Sequence, residues 1–553
     1  MRYLDRNTWF WIIISALFFI PFLGGVHLFD WDEINFAEMA REMIVTGDYL
    51  RLQINYEHFT EKPPLFFWLQ ALSMNVFGVG EFGARFPNAL LGVIVIPFLY
   101  ISGKFLINRK FGYLWALSWF GSILPFLYFK SGIIDPFFNF FIFNGLFFFV
   151  HFIWRKRNLA GVYFSKNAAT YLWIAGISTG LAVLTKGPVA VLIIALCILV
   201  YWIAERFRPF VKLTSLLYFG LVVLGVFLVW FGIEYSFNGP DFIIEFTIRQ
   251  WELLTTNDAG HGGFPGYHFV VLLFGCFPAS LFAIPALWQK KSDKIHIRQF
   301  RKWMVILLCV ILVLFSLVGT KIIHYSSMAY YPISFLSALY LFKLSEANDR
   351  TKPLFNVFVS LILIVIAAIS FLLPYYGMHL EDIKPLFAKD PFALENLNAK
   401  VDWSFWDFIP GSVVMLMIFG FLAFRAQTLY ASRILFFGTS IWVLTALFCF
   451  VGKVESISQR AAVQFFESFQ EKEVYVTTYG YKSYVPWFYA RVEPYNNLKA
   501  QDKEWLLHGA VDRPVLISCK VKSREKLEQE IPDAHFLYAK NGFYFYQRGE
   551  APN

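Results

Sequence analysis

The sequence predicts a polytopic α-helical membrane protein with about thirteen transmembrane helices and a small outward-facing α/β domain at its carboxyl end. Three observations carry this. The 553 residues are 58% hydrophobic and 16% charged, whereas soluble domains hold about 25% charged residues. The mean hydropathy is +0.53, because apolar residues gather in runs near the 20 or so that a bilayer-crossing helix needs. From residue 453 onward the runs give way to strand-like alternation. Domain one is therefore 1–452 and domain two 453–553.

The first run, 8–29, is long and aromatic and ends in no small-residue cleavage site, so it reads as a retained span and not as a signal peptide. Further spans follow at 86–106, 111–129, 137–154, 170–185, 188–204, 213–233, 268–288, 303–319, 325–342, 354–373, 408–424 and 434–452. Lys186-Gly187-Pro188 leaves almost no loop inside 170–204. Basic residues cluster at Arg2 and Arg6, Lys104 to Lys110, Arg155 to Lys166, Arg206 to Lys212, 290–302, Lys343 to Lys352, and Arg425 to Arg433, every second loop of the count. Positive residues stay inside, which puts 30–85, 130–136, 234–267, 320–324, 374–407 and the tail outside. The net charge of +9 is thus topology and gives no sign of a nucleic-acid partner. The five cysteines form no close metal-type pair, so neither a disulfide framework nor a Cys-zinc site is inferred.

In the tail, "EVYVTTYGY" and "PVLISCKV" read as strands and "HFLYAKNGFYFYQR" as a hairpin turning on Asn541-Gly542. "SISQRAAVQFFESFQ" and "SREKLEQEI" read as helices.

The densest carboxylate cluster falls directly after the first span, in the outer loop 30–85. From Glu33 to Thr46, Phe36, Ala40, Met43 and Ile44 recur at helical spacing opposite Glu38, Arg41 and Glu42, which predicts an amphipathic helix along the membrane surface, stopped by Gly47. Asp32 precedes it, and Asp135 precedes Pro136 at the start of another span. Each reads either as a helix N-cap or as a carboxylate at the bilayer edge, an expensive place for one. Together with Glu33 they form a candidate catalytic set able to orient a nucleophile or take its proton. Glu61 and Lys62 stand before Pro63-Pro64, either as a solvated pair or as a rigid site loop with Lys62 on a phosphate. Arg85, Lys186, Arg249 and Lys321 also fall at or near the outer face, against the positive-inside bias. They either snorkel or ring an anionic headgroup. His261 lies in a glycine-rich stretch; with Glu61 it makes a weak candidate metal pair.

"WDEINFAEMAREMIVTGDYL…FTEKPPLFFWLQALSMNVFGVGEFGARFPNAL", "GLAVLTKGPVA", "GHGGFPGYHF" and "TKIIHYSSMAYYP" together resemble the bacterial aminoarabinose transferases that modify lipid A. These are C-type (GT-C) glycosyltransferases related to the protein O-mannosyltransferases. The resemblance covers roughly 8–345 and is strongest in the first hundred residues. It implies that Asp32 and Asp135 are the paired site aspartates and that Glu61 with His261 holds a divalent metal such as Zn or Mg. It also implies that Lys62 contacts the lipid phosphate and that Tyr325 lines the lipid site. Lys186 and Arg85 stand in well-matched segments. The chain departs at Ile34-Asn35, where the family has Pro-Arg, at Phe59-Thr60, where it has Tyr-Phe, and after His261, where glycines replace a basic residue.

The expected function follows. An enzyme on the outer face has no supply of nucleotide sugars, and no Rossmann-type glycine fingerprint is present. A sugar arriving as a polyprenyl phosphate leaves an anionic phosphate, and Lys62, Arg85, Lys186 and Lys321 are expected to stabilise it. The acceptor is expected to be lipid A, or in a second reading a surface polysaccharide or a protein, with inversion at the anomeric carbon. A flippase for polyprenyl-linked sugars is the rival class; it predicts mid-membrane charges and paired broken helices, and neither is evident. The expected setting is the bacterial inner membrane, among its lipids, with site and carboxyl end on the periplasmic face.

Overall fold

The computed structural model describes residues 4–159, 167–255, 263–288 and 294–549. Its first helices are α1 (Arg6–Phe19), α2 (Asp32–Thr46), α3 (Leu65–Phe77), α4 (Glu81–Leu106), α5 (Arg109–Phe120), α6 (Ile123–Tyr128), α7 (Asp135–Lys156) and α8 (Ala168–Lys186). There follow α9 (Val189–Ala204), α10 (Leu213–Asn238), α11 (Asp241–Thr255), α12 (Tyr267–Gly275), α13 (Ala279–Leu287), α14 (Ile295–Leu317) and α15 (Tyr330–Glu346). The chain is a multi-pass membrane protein. Eight helices among the described residues are long and apolar enough to cross a bilayer, and α12 with α13, bent by 117°, makes a ninth if counted as one span.

The expected count of thirteen therefore mixes full crossings with shorter helices. Every expected stretch is helical, but α1, α5, α9 and α15 fall short of full length. The first span shows why. It stops at Phe19, ten residues before the expected end, because Pro21 cannot continue the ladder. The carbonyls freed by that ending are bound by side chains: Lys130 Nζ donates to Phe19 O and Pro21 O, and Arg85 donates to Leu23 O, Val26 O and His27 O. Buried carbonyls need such partners.

Helix contacts are made close by small residues. On α8, Gly176 and Gly180 form a G-x-x-x-G face; a Cβ there would lie 2.6 Å from Val222 and 2.5 Å from Val226 of α10. That packing fixes the end of α8, where Lys186 sits.

Helix α2 forms as expected and ends on Gly47, at φ 72°. It does not lie on a membrane surface: all residues from Glu33 to Met43 are buried in protein. Its polar face meets polar groups of the tail and of the β1–β2 hairpin (Gln53–Ile54, Glu57–His58). Arg41 pairs with Glu38 at 2.7 Å and donates to Val492 O, and Tyr56 OH donates to the same carbonyl at 2.6 Å. An amphipathic pattern marks which face is polar, and here a protein surface satisfies it.

The tail holds a four-stranded sheet of β3 (Tyr475–Tyr479), β4 (Val515–Lys520), β5 (Ala534–Lys540) and β6 (Phe543–Arg548), in the order β3-β4-β6-β5. β3 and β4 run parallel and the other pairs antiparallel. The β5–β6 turn is Asn541-Gly542, both at positive φ as a tight hairpin requires. The last membrane-length helical run continues to Ser458 before helix Arg460–Glu467. Phe466, Tyr484, Val485 and Phe488 of the tail share a core with Leu28, Ile34, Ala37 and Ala84, which seats the tail on the segment between α1 and the start of α4.

Candidate functional site

A cavity of about 1670 Å³ opens between the start of α2, the start of α7, the end of α8 and the turn after α14. Ligand pockets for one small molecule run to about 1000 Å³, so this one has room for two reactants to meet.

Asp32 and Asp135 both line it. Each is the first residue of its helix, the capping positions are Trp31 and Ile134, and neither carboxylate caps its helix. The N-cap reading thus falls away, and both carboxylates sit at positive helix ends that favour negative charge. Asp135 is buried and accepts from Lys186 Nζ at 2.6 Å. The Lys186 ammonium also lies 6.0 Å from the Tyr325 ring centre and 5.9 Å from that of Phe138. Asp32 is half-buried, 3.5 Å from His324 Nε2, whose Nδ1 is 2.6 Å from Tyr128 OH. Asn139 holds this corner by donating to Ser327 Oγ at 2.7 Å.

Burial pushes the Asp32 carboxyl above its ordinary range; His324 opposes this and the neighbouring Asp135 charge reinforces it. The sign for stability follows. A carboxyl whose folded pKa is raised binds more protons folded than unfolded, so its ionisation removes stability as pH rises from the ordinary 3.8 through the raised value. Asp32→Asn is therefore expected to melt at a higher temperature than the parent at pH 7.5 and to lose that advantage at low pH. Thermal unfolding followed by tryptophan fluorescence at both pH values checks this; a lower melting temperature at pH 7.5 would contradict it.

A second charged group faces the cavity. Glu61 is paired with Lys62 and lies 3.4 Å from Arg249 Nη2, while Gln250 Nε2 donates to Glu61 O at 3.3 Å. Burial pushes the Glu61 carboxyl up, but Lys62 and Arg249 outweigh it and hold it below the usual range. Both Glu61 oxygens already face cations, and His261 lies outside the described residues. Among the described residues no group of three His, Cys, Asp or Glu converges as metal ligands. A divalent ion on Glu61 would share a carboxylate that already faces two cations and would find no converging ligand set, so the described residues alone do not fit a metal.

Three expected site residues serve the backbone instead. Arg85 reaches the cavity wall, but its guanidinium is spent on Glu33 at 2.8 and 3.0 Å and on the three carbonyls after α1. Glu33 accepts those bonds and two more, from Phe29 N and Gly132 N. It is a buried structural carboxylate with no capacity left for chemistry. Lys321 does not line the cavity; its ammonium donates to Phe315 O, Ser316 O and Val318 O, closing the end of α14. Sequence reasoning missed His324 and Tyr128. His324 stands directly before Tyr325 in "TKIIHYSS", and only the fold brings it to Asp32.

The fold can now be compared. The crystal structure of ArnT from Cupriavidus metallidurans bound to undecaprenyl phosphate superposes with a TM-score of 0.76 over 99% of this chain and 100% of that one, at 17% identity. The chain has the GT-C fold. An archaeal oligosaccharyltransferase, AglB from Archaeoglobus fulgidus, is more distant, with a TM-score of 0.53 at 12% identity over 99% of this chain and 74% of its own. The family model for dolichyl-phosphate-mannose-protein mannosyltransferase matches residues 61–231. Among curated relatives, an undecaprenyl phosphate-alpha-4-amino-4-deoxy-L-arabinose arabinosyl transferase of Pectobacterium carotovorum is 24% identical over 62% of this chain and 61% of its own length. The second transferase of that name in Proteus mirabilis is 23% identical over 75% and 71%. An uncharacterized Aquifex aeolicus protein is 26% identical over 60% and 63%. The chain spans about three fifths of the length of the first and last of these relatives.

Proposed function

We propose that this chain is an inverting glycosyltransferase that moves a sugar from a polyprenyl phosphate to an acceptor on the periplasmic side of the bacterial inner membrane. The sugar is an aminoarabinose, which the names of its relatives suggest, and the acceptor is lipid A, which the motif resemblance implies. The observation that carries the reading is one cavity joining two carboxylates, Asp32 and Asp135, to the cations Lys62, Lys186 and Arg249.

Lys62 and Arg249 receive the donor phosphate, with Tyr325 beside it. The acceptor oxygen attacks the anomeric carbon, the bond from that carbon to the phosphate oxygen breaks, and the electron pair leaves with the phosphate. Cations fixed where that charge develops lower the barrier. An ionised phosphate acceptor brings its own nucleophile, and Asp32 then only positions it. A hydroxyl acceptor passes its proton to Asp32. Lys186 fixes Asp135 towards the sugar. No step of the proposed transfer is routed through a metal.

The mannosyltransferase family model favours a second reading, the same donor chemistry on a protein or polysaccharide. A flippase is disfavoured because the charges gather at one end of the helices. Mass spectrometry of lipid A from cells lacking the gene and cells with it restored tests the proposal. Loss and return of an aminoarabinose mass is expected; unchanged lipid A with an altered surface glycan or glycoprotein would move the acceptor to the second reading.

A further inference from the structure

One side of the cavity is furnished by the tail. Trp31, Lys482 and Tyr484 all line it. Lys482 is exposed, and its ammonium stands 5.1 Å from the Trp31 ring centre and 5.6 Å from that of Tyr484. The two rings meet edge to face at 5.1 Å. Among the described residues Lys482 makes no ion pair or hydrogen bond. Its loop is nonetheless held firmly: Tyr484 N donates to Asp30 Oδ1, Thr478 Oγ1 to Tyr481 O, and Tyr481 OH lies 2.6 Å from Ser518 Oγ. Asp30 N in turn donates to Gln459.

The chain on both sides of this corner is apolar and faces the same cavity. Phe22 and Val26 lead into Trp31; Leu447, Phe448 and Val451 lead towards Gln459. Phe22 and Phe448 are 65% and 68% exposed and meet edge to face at 5.1 Å, so large rings line this side of the cavity as an apolar surface suited to acyl chains. A cation on a tethered loop with no counter-ion among the described residues, a partly exposed indole and an adjacent apolar wall match an anionic headgroup, a sugar ring and acyl chains in turn.

We infer that Lys482, Trp31 and Tyr484 form the acceptor subsite, taking a phosphorylated, lipid-anchored saccharide. The inference rests on the transferase reading: Lys62 and Arg249 serve the donor phosphate, and Lys482 serves a second anion. It gives the tail a function, since the tail supplies the cation.

The test uses the purified full chain in detergent and measures binding of three probes: bis-phosphorylated lipid A, chemically dephosphorylated lipid A, and undecaprenyl phosphate. Lys482→Ala is expected to weaken bis-phosphorylated lipid A about tenfold, the size of one charge-assisted contact. Lys482→Arg keeps most of that affinity. Dephosphorylated lipid A binds parent and Lys482→Ala alike, and Trp31→Ala weakens both lipid A forms. Undecaprenyl phosphate binds parent and Lys482 variants equally. Unchanged affinity of Lys482→Ala for bis-phosphorylated lipid A overturns the subsite, and so does an equal loss of undecaprenyl phosphate, which would put Lys482 on the donor. A parent chain that binds no undecaprenyl phosphate refutes the transferase reading separately, whatever Lys482 does.

Discussion

Lys62→Ala and Asp32→Asn are each expected to lower the initial rate of sugar transfer by about 10²–10³-fold, the loss seen when a fixed charge at a reacting centre is removed. They should do so differently. Lys62 is adjacent to Glu61, and Arg249 lies on the far oxygen of the same carboxylate; removing Lys62 takes charge from the leaving phosphate and weakens donor binding as well. Asp32 lies 3.5 Å from His324 and feels Lys62 only as a weaker, more distant charge, so Asp32→Asn should change donor affinity far less than Lys62→Ala does and act mainly on kcat. The size of the Asp32 effect reports the acceptor. A hydroxyl nucleophile needs a base, worth about 10²–10⁴-fold, whereas a phosphate nucleophile is already ionised and would reduce the loss to about tenfold, the scale of one positioning hydrogen bond. The raised affinity of Asp32 for its proton adds a pH signature: if the ionised carboxylate acts, kcat falls on the acid side above the ordinary aspartate range, and Asp32→Asn abolishes that limb. Rates measured from pH 4.5 to 8 with labelled donor separate these cases. Transfer at the parent rate in both variants would remove the site assignment.

How much of this was legible in the sequence depends on the kind of contact. The helices were legible because bilayer-scale apolar runs and punctuation such as Gly47 and Asn541-Gly542 act locally. Lengths were not, because where α1 stops depends on what binds its loose carbonyls, and those partners, Arg85 and Lys130, lie far along the chain. The same limit explains the cations. Lys62, Arg85, Lys186 and Lys321 look alike in sequence, each a basic residue beside an apolar run. In the fold Lys62 and Lys186 face the cavity, whereas Lys321 closes a helix end three to six residues away. The proximity of Lys321 to the end of its own helix was the one available sign. The Asp32–His324 and Lys482–Trp31 contacts join residues hundreds of positions apart, and no spacing rule reaches them.

Arg85→Ala should have the largest effect on stability, and its pattern separates a structural from a catalytic arginine. The substitution leaves Glu33 buried without its counter-charge and strands the carbonyls of Leu23, Val26 and His27. Breaking one partner of a buried ion pair costs about 3–5 kcal/mol, enough to deplete the folded protein. Glu33 is at present held below the usual carboxylate range: burial pushes it up, but Arg85 and the amides of Phe29 and Gly132 outweigh that. Without Arg85 burial dominates and the carboxyl rises. A group with a raised folded pKa contributes most below its unfolded value of 4.5 and loses that contribution as pH rises. The deficit of Arg85→Ala against the parent should therefore be smaller at pH 5 than at pH 8. The pair Glu33→Gln with Arg85→Met should recover part of the loss, because it removes both charges together. Thermal melts of the three variants at the two pH values, with undecaprenyl phosphate affinity measured per folded molecule, decide the matter. Parent-like donor affinity in the folded fraction is expected of a residue that holds the loop after α1; a stable protein that has lost the donor would return Arg85 to the phosphate site.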